Sequence, residues 1–545
     1  MPKQPRPPAN LVDAVMADVF GLKKISQASL GASIRRHLSG TPYRFPKSYE
    51  LVASYRRLRS RHAKREDIER LIRGKSVRTD SGIAPVTVLT KPYPCPGRCV
   101  YCPREARMPK SYLASEPAAA RALSLKFDPY QQVAKRIQAL EENGHEAKKI
   151  ELIVKGGTWS AYPWPYRRRF IQRCFDAANS SPDKGLEASG AASRGGVAAS
   201  ELSKAQKRNE SAEYRIIGLT IETRPDWVTP KEIARLRELG VTRVELGVQA
   251  TDDKILKLTK RGHTVADAAQ ATALLKNAGF KVDYHFLPGQ PGSTPARDVE
   301  MFRELFEDPR FRPDMVKLYP CVVLPSAELA QWHKAGQFQP LEGEALIEAL
   351  IKMKVIVPYY CRIPRVIRDF PAQDIAGGNS VTNLRDVIKK QMAERGLVCR
   401  CLRCREAGHR GPWKQGTKTT LFADRYENAG GIEYFLSLEN PGRTTCLSFL
   451  RLRLPDQKTK PPFPELRGCA LVRELHTYGQ ALRIGESRTR AVQHKGLGRR
   501  LMKEAERIAR ANGFKRIAVI SGIGVRAYYR GLGYRLAGTY MRKNI

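Results

Sequence analysis

Pro92-Tyr93-Pro94-Cys95-Pro96-Gly97-Arg98-Cys99-Val100-Tyr101-Cys102-Pro103 is the stretch on which the reading of this chain turns. Its cysteines are spaced C-x3-C-x2-C, so one loop can wrap an inorganic core. Thiolates are the ligands that iron–sulfur clusters use. Three of them hold three irons of a [4Fe-4S] cube and leave one iron open to a small molecule. A zinc loop or a disulfide-forming trio are the other readings, but zinc spacing normally brings two paired C-x2-C units.

Beyond this loop, residues 81–320 alternate strand-like and helix-like segments. Ile150 to Val154, Ile216 to Glu222, Arg243 to Gln249, Lys281 to Leu287 and Met315 to Tyr319 read as strands. Tyr130 to Glu142, Pro230 to Leu239 and Val265 to Ala278 read as helices. Such α/β alternation predicts a parallel sheet, open or closed into a partial barrel, with ligands at the carboxyl ends of its strands. Gly156, Gly157, Glu222, Arg224, Gln249, His285 and Lys317 fall near those ends. The glycine pair permits a ligand's amino group to approach the backbone.

Length and charge narrow the class. The 545 residues allow three or four domains, and 96 basic against 54 acidic side chains give a formal charge of +42. Ordinary solubility does not need that excess, so a polyanionic partner is expected, nucleic acid ahead of a membrane surface. No apolar run approaches a membrane span, the mean hydropathy is −0.44, and no signal peptide is read at the N-terminus; a cytoplasmic protein is expected. The eleven cysteines fall in two tight groups plus singles, a pattern of metal binding in a reducing compartment.

Residues 1–80 form a basic region. Pro2 to Pro8 reads as disordered. Arg56, Arg57, Arg59, Arg61, Lys64, Arg65, Arg70, Arg73, Lys75 and Arg78 crowd a stretch of helical apolar spacing with only Glu50, Glu66, Asp67 and Glu69 as local acids. Phosphate contact is expected there. Residues 81–365 form the barrel domain, interrupted at 177–212 by an Ala/Ser/Gly/Lys-rich insertion that reads as disordered.

A second trio, Cys399-Arg400-Cys401-Leu402-Arg403-Cys404, lies in the linker 366–416 and predicts structural zinc. Cys321, Cys361 and His409 are candidates for the fourth ligand. Cys321 is preferred because it follows the last strand and would staple the barrel to the linker. From 417 to 545 the character changes to strands Cys446 to Leu454 and Cys469 to Thr477, then Gln493-His494-Lys495-Gly496-Leu497-Gly498-Arg499 opening a helix. A Q-x-x-G-x-G loop there turns backbone N–H groups toward a pyrophosphate. Strand Arg516 to Ser521 and the pair Tyr528-Tyr529 close the chain.

The cysteine loop with its Gly-Gly-Thr turn resembles the radical SAM proteins, and the Gln493 to Arg499 loop resembles the acetyl-CoA loop of the GNAT acetyltransferases. Together with Ser111-Tyr112 to Asp128-Pro129-Tyr130, Gly218 to Asp226, Val244 to Gln249, Arg261 to Thr264, Arg473 to His476 and Ile517 to Tyr534, the chain from about residue 50 onward is similar to the family of the catalytic subunit of Elongator, in its bacterial or archaeal form. That resemblance implies a radical-SAM partial (βα) barrel, a zinc-stapled linker and a GNAT-type α+β domain. It further implies tRNA as substrate, through its anticodon stem-loop, and the wobble uridine as target. Cys95, Cys99 and Cys102 would hold the [4Fe-4S] cluster. S-adenosylmethionine would contact Gly156, Gly157, Thr158, Glu222 and Gln249, although Thr158 stands where many radical-SAM proteins carry an acid.

A 5′-deoxyadenosyl radical would take hydrogen from the methyl of acetyl-CoA, and the carbon radical would add to carbon-5 of uracil. Loss of CoA by hydrolysis would leave 5-carboxymethyluridine. Acetyl-CoA contacts are implied at Lys149, at Glu474, Leu475, His476 and Thr477, at Gln493, Lys495, Gly496, Leu497, Gly498 and Arg499, and at Tyr528 and Tyr529. Tyr529 is a candidate donor to the leaving thiolate. An electron donor is needed, and a homodimer is an assembly open to the chain. The alternative activity is protein lysine acetylation with Glu474 as base and the barrel as scaffold; the charge argues against it, because basic tails are repelled. An RNA-binding scaffold without activity is disfavoured by the intact cluster cysteines and CoA loop.

Overall fold

The computed structural model describes residues 4–62, 65–74, 81–180, 199–409, 418–478 and 496–545. Six strands, β1 (Ala84–Leu89), β2 (Lys149–Lys155), β3 (Arg215–Thr223), β4 (Arg243–Gln249), β5 (Lys281–Phe286) and β6 (Met315–Leu318), pair in parallel in sequential order. They form a half-barrel with its helices on the outside. Apolar residues on the outer face (Ile150, Leu152 and Val154 on β2, for example) are fully buried under helices such as Pro129–Glu142 and Trp164–Asn179. The inner face is rich in polar groups: Glu151 and Lys155, with Ile153 between them, on β2, Arg243 and Glu245 on β4, and Lys281, Asp283 and His285 on β5. β1 is an element the sequence reading passes over, because Ala-Pro-Val-Thr-Val-Leu is short and carries a proline.

The second sheet has seven strands in the order β12-β13-β11-β10-β9-β8-β7, from β7 (Thr420–Asn428), β8 (Gly431–Glu439), β9 (Cys446–Pro455), β10 (Cys469–Thr477), β11 (Arg516–Val519), β12 (Arg535–Ala537) and β13 (Tyr540–Asn544). β10 and β11 pair in parallel only from Cys469 to Val472, while β10 continues along β9 to Thr477. The two parallel strands therefore part beyond Val472, and the helix Leu497–Ala511 packs across the sheet.

The N-terminal residues form a small helical unit with its own core (Val15, Met16, Val19, Ile34, Leu51, Tyr55, Ile68). Two expectations are corrected here. Pro7 is buried and the Pro5 carbonyl accepts from the Arg44 N–H at 3.0 Å, so the Pro-rich start is held against the helical unit at these two residues; Pro2 and Lys3 lie outside the described residues. Several of the dense cations have partners within the chain while staying at the surface: Arg57 pairs with Asp13 at 2.6 Å, Arg56 donates to the Glu141 carbonyl at 2.8 Å, and Arg65 pairs with Asp67. Counting local acids missed Asp13, which is distant in sequence. Lys64, Lys75 and Arg78 lie outside the described residues.

The insertion 177–212 is also ordered at both ends. Ala177 to Asn179 complete one helix, and Ala199–Asn209 form another that buries Leu202 and Ala205 against it. Residues 181–198 lie outside the described residues. Among the described residues no helix is long and apolar enough to cross a membrane.

The half-barrel and the second sheet share a buried seam. Asp314, beside the start of β6, accepts from Arg473 at 2.6 and 2.8 Å and lies 3.2 Å from the Lys276 ammonium. Glu433 pairs with Arg473 at 2.5 Å and Arg453 at 3.3 Å. All of these side chains are fully buried, and further guanidinium donors go to the Phe280 carbonyl (Arg473), to the Asn428 and Ala429 carbonyls and Asn277 Oδ1 (Arg453), and, from neighbouring Arg451, to the Tyr360 carbonyl. Removing one partner from such a buried network costs about 3–5 kcal/mol, because the other charge is stranded. Close packing backs the charges: a Cβ on Gly522 would lie 2.0 Å from the Ile217 carbonyl oxygen of β3.

Candidate functional site: a lumen with two mouths

At the carboxyl ends of the strands sits the cysteine loop. It is pinned by Val100, whose N–H donates to the Thr259 carbonyl at 3.2 Å and whose carbonyl accepts from Leu329 at 2.8 Å. A Cβ on Gly97 would lie 2.6 Å from Arg224 Nη1, with Cys99 Sγ (3.5 Å) and Cys95 Sγ (3.7 Å) in ordinary contact on either side, so glycine here leaves room for the guanidinium beside the two sulfurs. Arg261 Nη1 lies 3.3 Å from Cys99 Sγ while its Nη2 donates to the Gly247 carbonyl at 2.7 Å. Burial pushes the Cys99 thiol up, but the Arg261 and Arg224 guanidinium groups outweigh it and hold it below its usual value. Cys102, without such a contact, is pushed up to about 12 by burial and by Cys99. Three thiols on one loop, one of them held by a guanidinium donor, suit an anionic sulfur-bound cluster.

Next to the loop, β2 runs into Gly156 (φ +136°) and Gly157 (φ +75°), both in the left-handed half of φ space. A Cβ on Gly156 would overlap Thr90 Oγ1 at 1.8 Å. The turn thus exposes backbone beside the loop, and Thr158 Oγ1 lies 3.5 Å from Cys95 Sγ. Gln249, at the end of β4, also has a positive φ of 72°.

From this mouth a cavity of about 760 Å³ runs down the inside of the half-barrel. Tyr101 and Cys102 line it above; Glu474 and His476 of β10 line it below. From Lys155 to Glu151, both on its wall, is about 13 Å, four residue steps of strand. Inside, Lys155 lies 3.2 Å from Glu222 and also pairs with Glu245, which Lys317 and His285 (2.9 Å) contact as well. Burial raises the Glu222 carboxyl, but Lys155 and His285 hold it down to about 2. Glu222, Glu245 and His285 converge closely enough to hold a cation. Two ammonium groups already balance these carboxylates, so the arrangement is a polar wall rather than a metal centre.

At the lower mouth β10 divides its side chains between two environments. Glu474 and His476 face the lumen, whereas Leu475 and Thr477 turn toward the helix Leu497–Ala511: a Cβ on Gly498 would meet Leu475 Cδ2 at 3.6 Å and Thr477 Oγ1 at 3.9 Å. Gly496 begins that helix with φ +73°. The Tyr528 hydroxyl sits over its first turn, 2.9 Å from the same Cβ position. Tyr529 is buried between Tyr528 and Tyr534, and burial keeps its phenol protonated. The open first turn, the parted strands and the phenol suit a thioester with a pyrophosphate arm. Gln493 and Lys495 lie outside the described residues. Lys149 is the first residue of β2, its ammonium lowered by burial, and it is not among the residues that line the lumen.

Glu474, offered by the sequence as a base, lies 3.3 Å from Lys281 and 2.9 Å from Arg451. These cations hold its carboxyl at about 2 against the effect of burial, so it is a seam carboxylate and a poor proton acceptor. His476, pushed down to about 4 by burial, is a neutral imidazole.

The second cysteine trio lies apart. The Sγ atoms of Cys399, Cys401 and Cys404 lie within 4.8 Å of one another, as ligands of a single ion do, and Lys354 Nζ is 3.4 Å from Cys399 Sγ. Cys321 is not beside them. It packs with Val100, Val323 and Leu329 under the first cysteine loop, so the expectation of Cys321 as fourth ligand is corrected. β6 delivers Cys321 to the upper mouth, whereas Cys361, whose carbonyl accepts from Leu402 at 2.9 Å, adjoins the trio. The His409 side chain lies outside the described residues. Here Arg405 reaches Glu439 of β8 and the Tyr359 carbonyl, joining linker to both domains.

Sequence reasoning missed Lys155, Glu151, Arg243, Glu245, Lys281 and Arg362 on the lumen wall. The available signal was the alternation itself: charge recurring at alternate positions of strands otherwise apolar marks an inward polar face.

Comparison with known proteins agrees with this architecture. Residues 93–305 match the Radical SAM superfamily, 313–394 the Radical_SAM C-terminal domain and 405–534 the Acetyltransferase (GNAT) family. The chain is 45% identical over 485 residues to the tRNA uridine(34) acetyltransferase of Methanocaldococcus jannaschii, covering 87% of this chain and 86% of that one. It is 44% identical to the protein of the same name from Dehalococcoides mccartyi (86% and 99% covered) and 37% identical to Elongator complex protein 3 of Homo sapiens (87% and 86%). The solved structure of the archaeal Methanocaldococcus infernus Elp3, lacking its N-terminus, superposes with a TM-score of 0.72 at 42% identity over 85% of this chain and 99% of that one. A radical SAM fold implies a [4Fe-4S] cluster and S-adenosylmethionine, and a GNAT domain implies acetyl-CoA; the two mouths have the donors for each. The chain belongs to the family of the tRNA uridine(34) acetyltransferases and Elongator complex protein 3, acyl-transferring enzymes that join a radical SAM half-barrel to a GNAT domain.

Proposed function

We propose that this enzyme converts the wobble uridine of tRNA to 5-carboxymethyluridine, with acetyl-CoA as the source of the two-carbon unit. The observation that carries this reading is the single lumen lined by the cysteine loop at one end and by β10 at the other. When bound, the cluster and S-adenosylmethionine would supply a 5′-deoxyadenosyl radical, the one-electron chemistry that can activate the methyl of acetyl-CoA toward carbon-5 of uracil. The chain's residues set the rest. Gly156, Gly157, Thr158, Glu222 and Gln249 hold the upper ligand. Lys149, Leu475, Thr477, the first turn at Gly496 to Arg499 and Tyr528 hold the CoA arm, and the Tyr529 phenol donates its proton to the departing thiolate. Arg59, Arg61 and Arg70, exposed and without a carboxylate partner among the described residues, meet tRNA phosphates.

Anaerobic turnover with acetyl-CoA deuterated at its methyl tests this. Deuterium should appear in 5′-deoxyadenosine and the acetyl carbons in 5-carboxymethyluridine at the wobble position. Acetylation of lysine peptides without either product would overturn it in favour of a protein acetyltransferase, a reading that the ion-paired state of Glu474 disfavours.

The second trio is assigned to structural zinc on Cys399, Cys401 and Cys404, on the convergence of its sulfurs. Cys401→Ser should release zinc and lower thermal stability with iron content unchanged; zinc retained at one per chain would place the ion elsewhere.

A further inference from the structure

Buried guanidinium groups in this chain face carboxylates: Arg473 lies 2.6 Å from Asp314, Arg451 2.9 Å from Glu474 and Arg224 2.9 Å from Asp226. Arg261 is different. It is 9% exposed, and among the described residues no carboxylate lies within ion-pair distance of it. Its Nη2 and Nε donate to the Gly247 carbonyl at 2.7 and 3.3 Å, and its Nη1 lies 3.3 Å from Cys99 Sγ. A guanidinium keeps its proton, and a buried charge without a partner is costly. Of these contacts only the Cys99 sulfur can carry negative charge. The surroundings hold the group in place. A Cβ on Gly247 would overlap Arg261 Nη2, so glycine leaves the space that the guanidinium fills. Arg224 donates from Nη1 to the Arg261 carbonyl at 2.7 Å and fixes its backbone. The thiols of the loop are therefore unequal. Cys95 meets the Gly97 N–H at 3.4 Å and the Thr158 hydroxyl at 3.5 Å, whereas Cys99 meets a full positive charge.

We propose that Arg261 tunes the reduction potential of the cluster held by the cysteine loop, its uncompensated charge at Cys99 favouring the reduced state. The inference rests on the cluster reading above and adds the residue that sets how readily the cluster accepts an electron. On reduction one electron passes from an external one-electron donor to the cluster, which becomes more negative by one charge; no proton or atom moves. A fixed positive charge beside one of the ligand sulfurs attracts that added charge, and burial leaves the attraction little screened. Donation of N–H groups to the sulfurs is a further determinant of such potentials. An Arg261 that only propped the loop would alter iron uptake or stability and leave the potential where it is.

The test is an anaerobic redox titration of the full, cluster-reconstituted chain, followed by electron paramagnetic resonance in the absence of S-adenosylmethionine. At the wild-type midpoint, Arg261→Gln should show a ratio of reduced to oxidised cluster about tenfold lower, equivalent to a midpoint about 59 mV more negative for a one-electron couple. The difference should be the same at low and high salt, because the charge is buried. Arg261→Lys, which returns the charge, should recover most of it. If Arg261→Gln takes up no iron, Gly247→Ala carries the test. That position needs no left-handed backbone, and the added methyl displaces the guanidinium from its carbonyl, so the midpoint should again fall. A wild-type midpoint in whichever of these two variants holds the cluster would overturn the tuning role, as would an Arg261→Lys midpoint no higher than that of Arg261→Gln. A wild-type chain that gives no reducible [4Fe-4S] signal would instead overturn the cluster reading itself.

Discussion

At the upper mouth of the lumen the decisive groups come from one loop and one turn: three thiols within eight residues and a glycine pair at the end of a strand. At the lower mouth no two lumen-facing groups except Glu474 and His476 are sequence neighbours. Glu151, Arg243, Lys281 and Glu474 come from four strands and Arg362 from the chain that follows the helix Gly343–Ile356, and they meet only because the second sheet is pressed against the open base of the half-barrel. The upper mouth is thus a local device that the fold carries. The lower mouth is a product of the fold, and it exists only while the two domains stay docked.

The contrast is sharpest where one thiol is removed. Cys99→Ser takes away the sulfur that Arg261 stabilises. Iron content and carboxymethyluridine formation should both fall to background, while acetyl-CoA affinity measured by calorimetry stays close to wild type. A parallel loss of acetyl-CoA binding would mean that the mouths are not independent.

Gly522→Ala probes the other end. The backbone there has an ordinary φ of −64°, so the substitution strains nothing locally, yet its methyl would collide with the Ile217 carbonyl. The second sheet must shift, and a displacement of about 1 Å at a reacting centre costs about 100-fold in rate. Product formation should fall by that order, with dithionite-driven cleavage of S-adenosylmethionine retained. Equal loss of both activities would show that the two ends are mechanically coupled.

A smaller effect lies in pH. The folded Glu474 carboxyl sits at about 2, below its ordinary 4.5. Its contribution to stability is therefore complete above about pH 4.5 and is lost as pH falls toward 2. Lys281, Arg451 and His476 adjoin it and remain charged or become so over that window. Thermal melts from pH 5 to 2.5 should decline less steeply for Glu474→Gln than for the wild type, from a lower starting point. Parallel curves would remove Glu474 from the seam.

How much could be read in advance follows the same division. The cysteine loop, the Gly-Gly turn, the CoA loop and five of the six barrel strands are contiguous patterns, and periodicity or spacing exposes them. β1 was hidden by its brevity and its proline. The pairing of Arg57 with Asp13, the burial of Leu202 in a stretch poor in large apolar residues, and the position of Cys321 all depend on contacts between distant segments. Local composition carries no record of them. Glu474 shows the limit most plainly: the residue was singled out, but its role depended on Lys281 and Arg451, which lie 193 and 23 positions away.

The ends of the Ala/Ser/Gly-rich insertion have a practical consequence. Asn179 Nδ2 donates to the Ala205 carbonyl at 2.9 Å and Asn209 Nδ2 to Asn179 Oδ1 at 2.8 Å, so chain leaving one helix and chain entering the next are tied together. Beyond them, Glu210 holds Arg526 and Arg530 of the second domain at 3.2 and 2.7 Å. The helix pair is thus a clamp on the second domain: loosening Asn179 or Asn209 would reach Arg526 and Arg530 through Glu210.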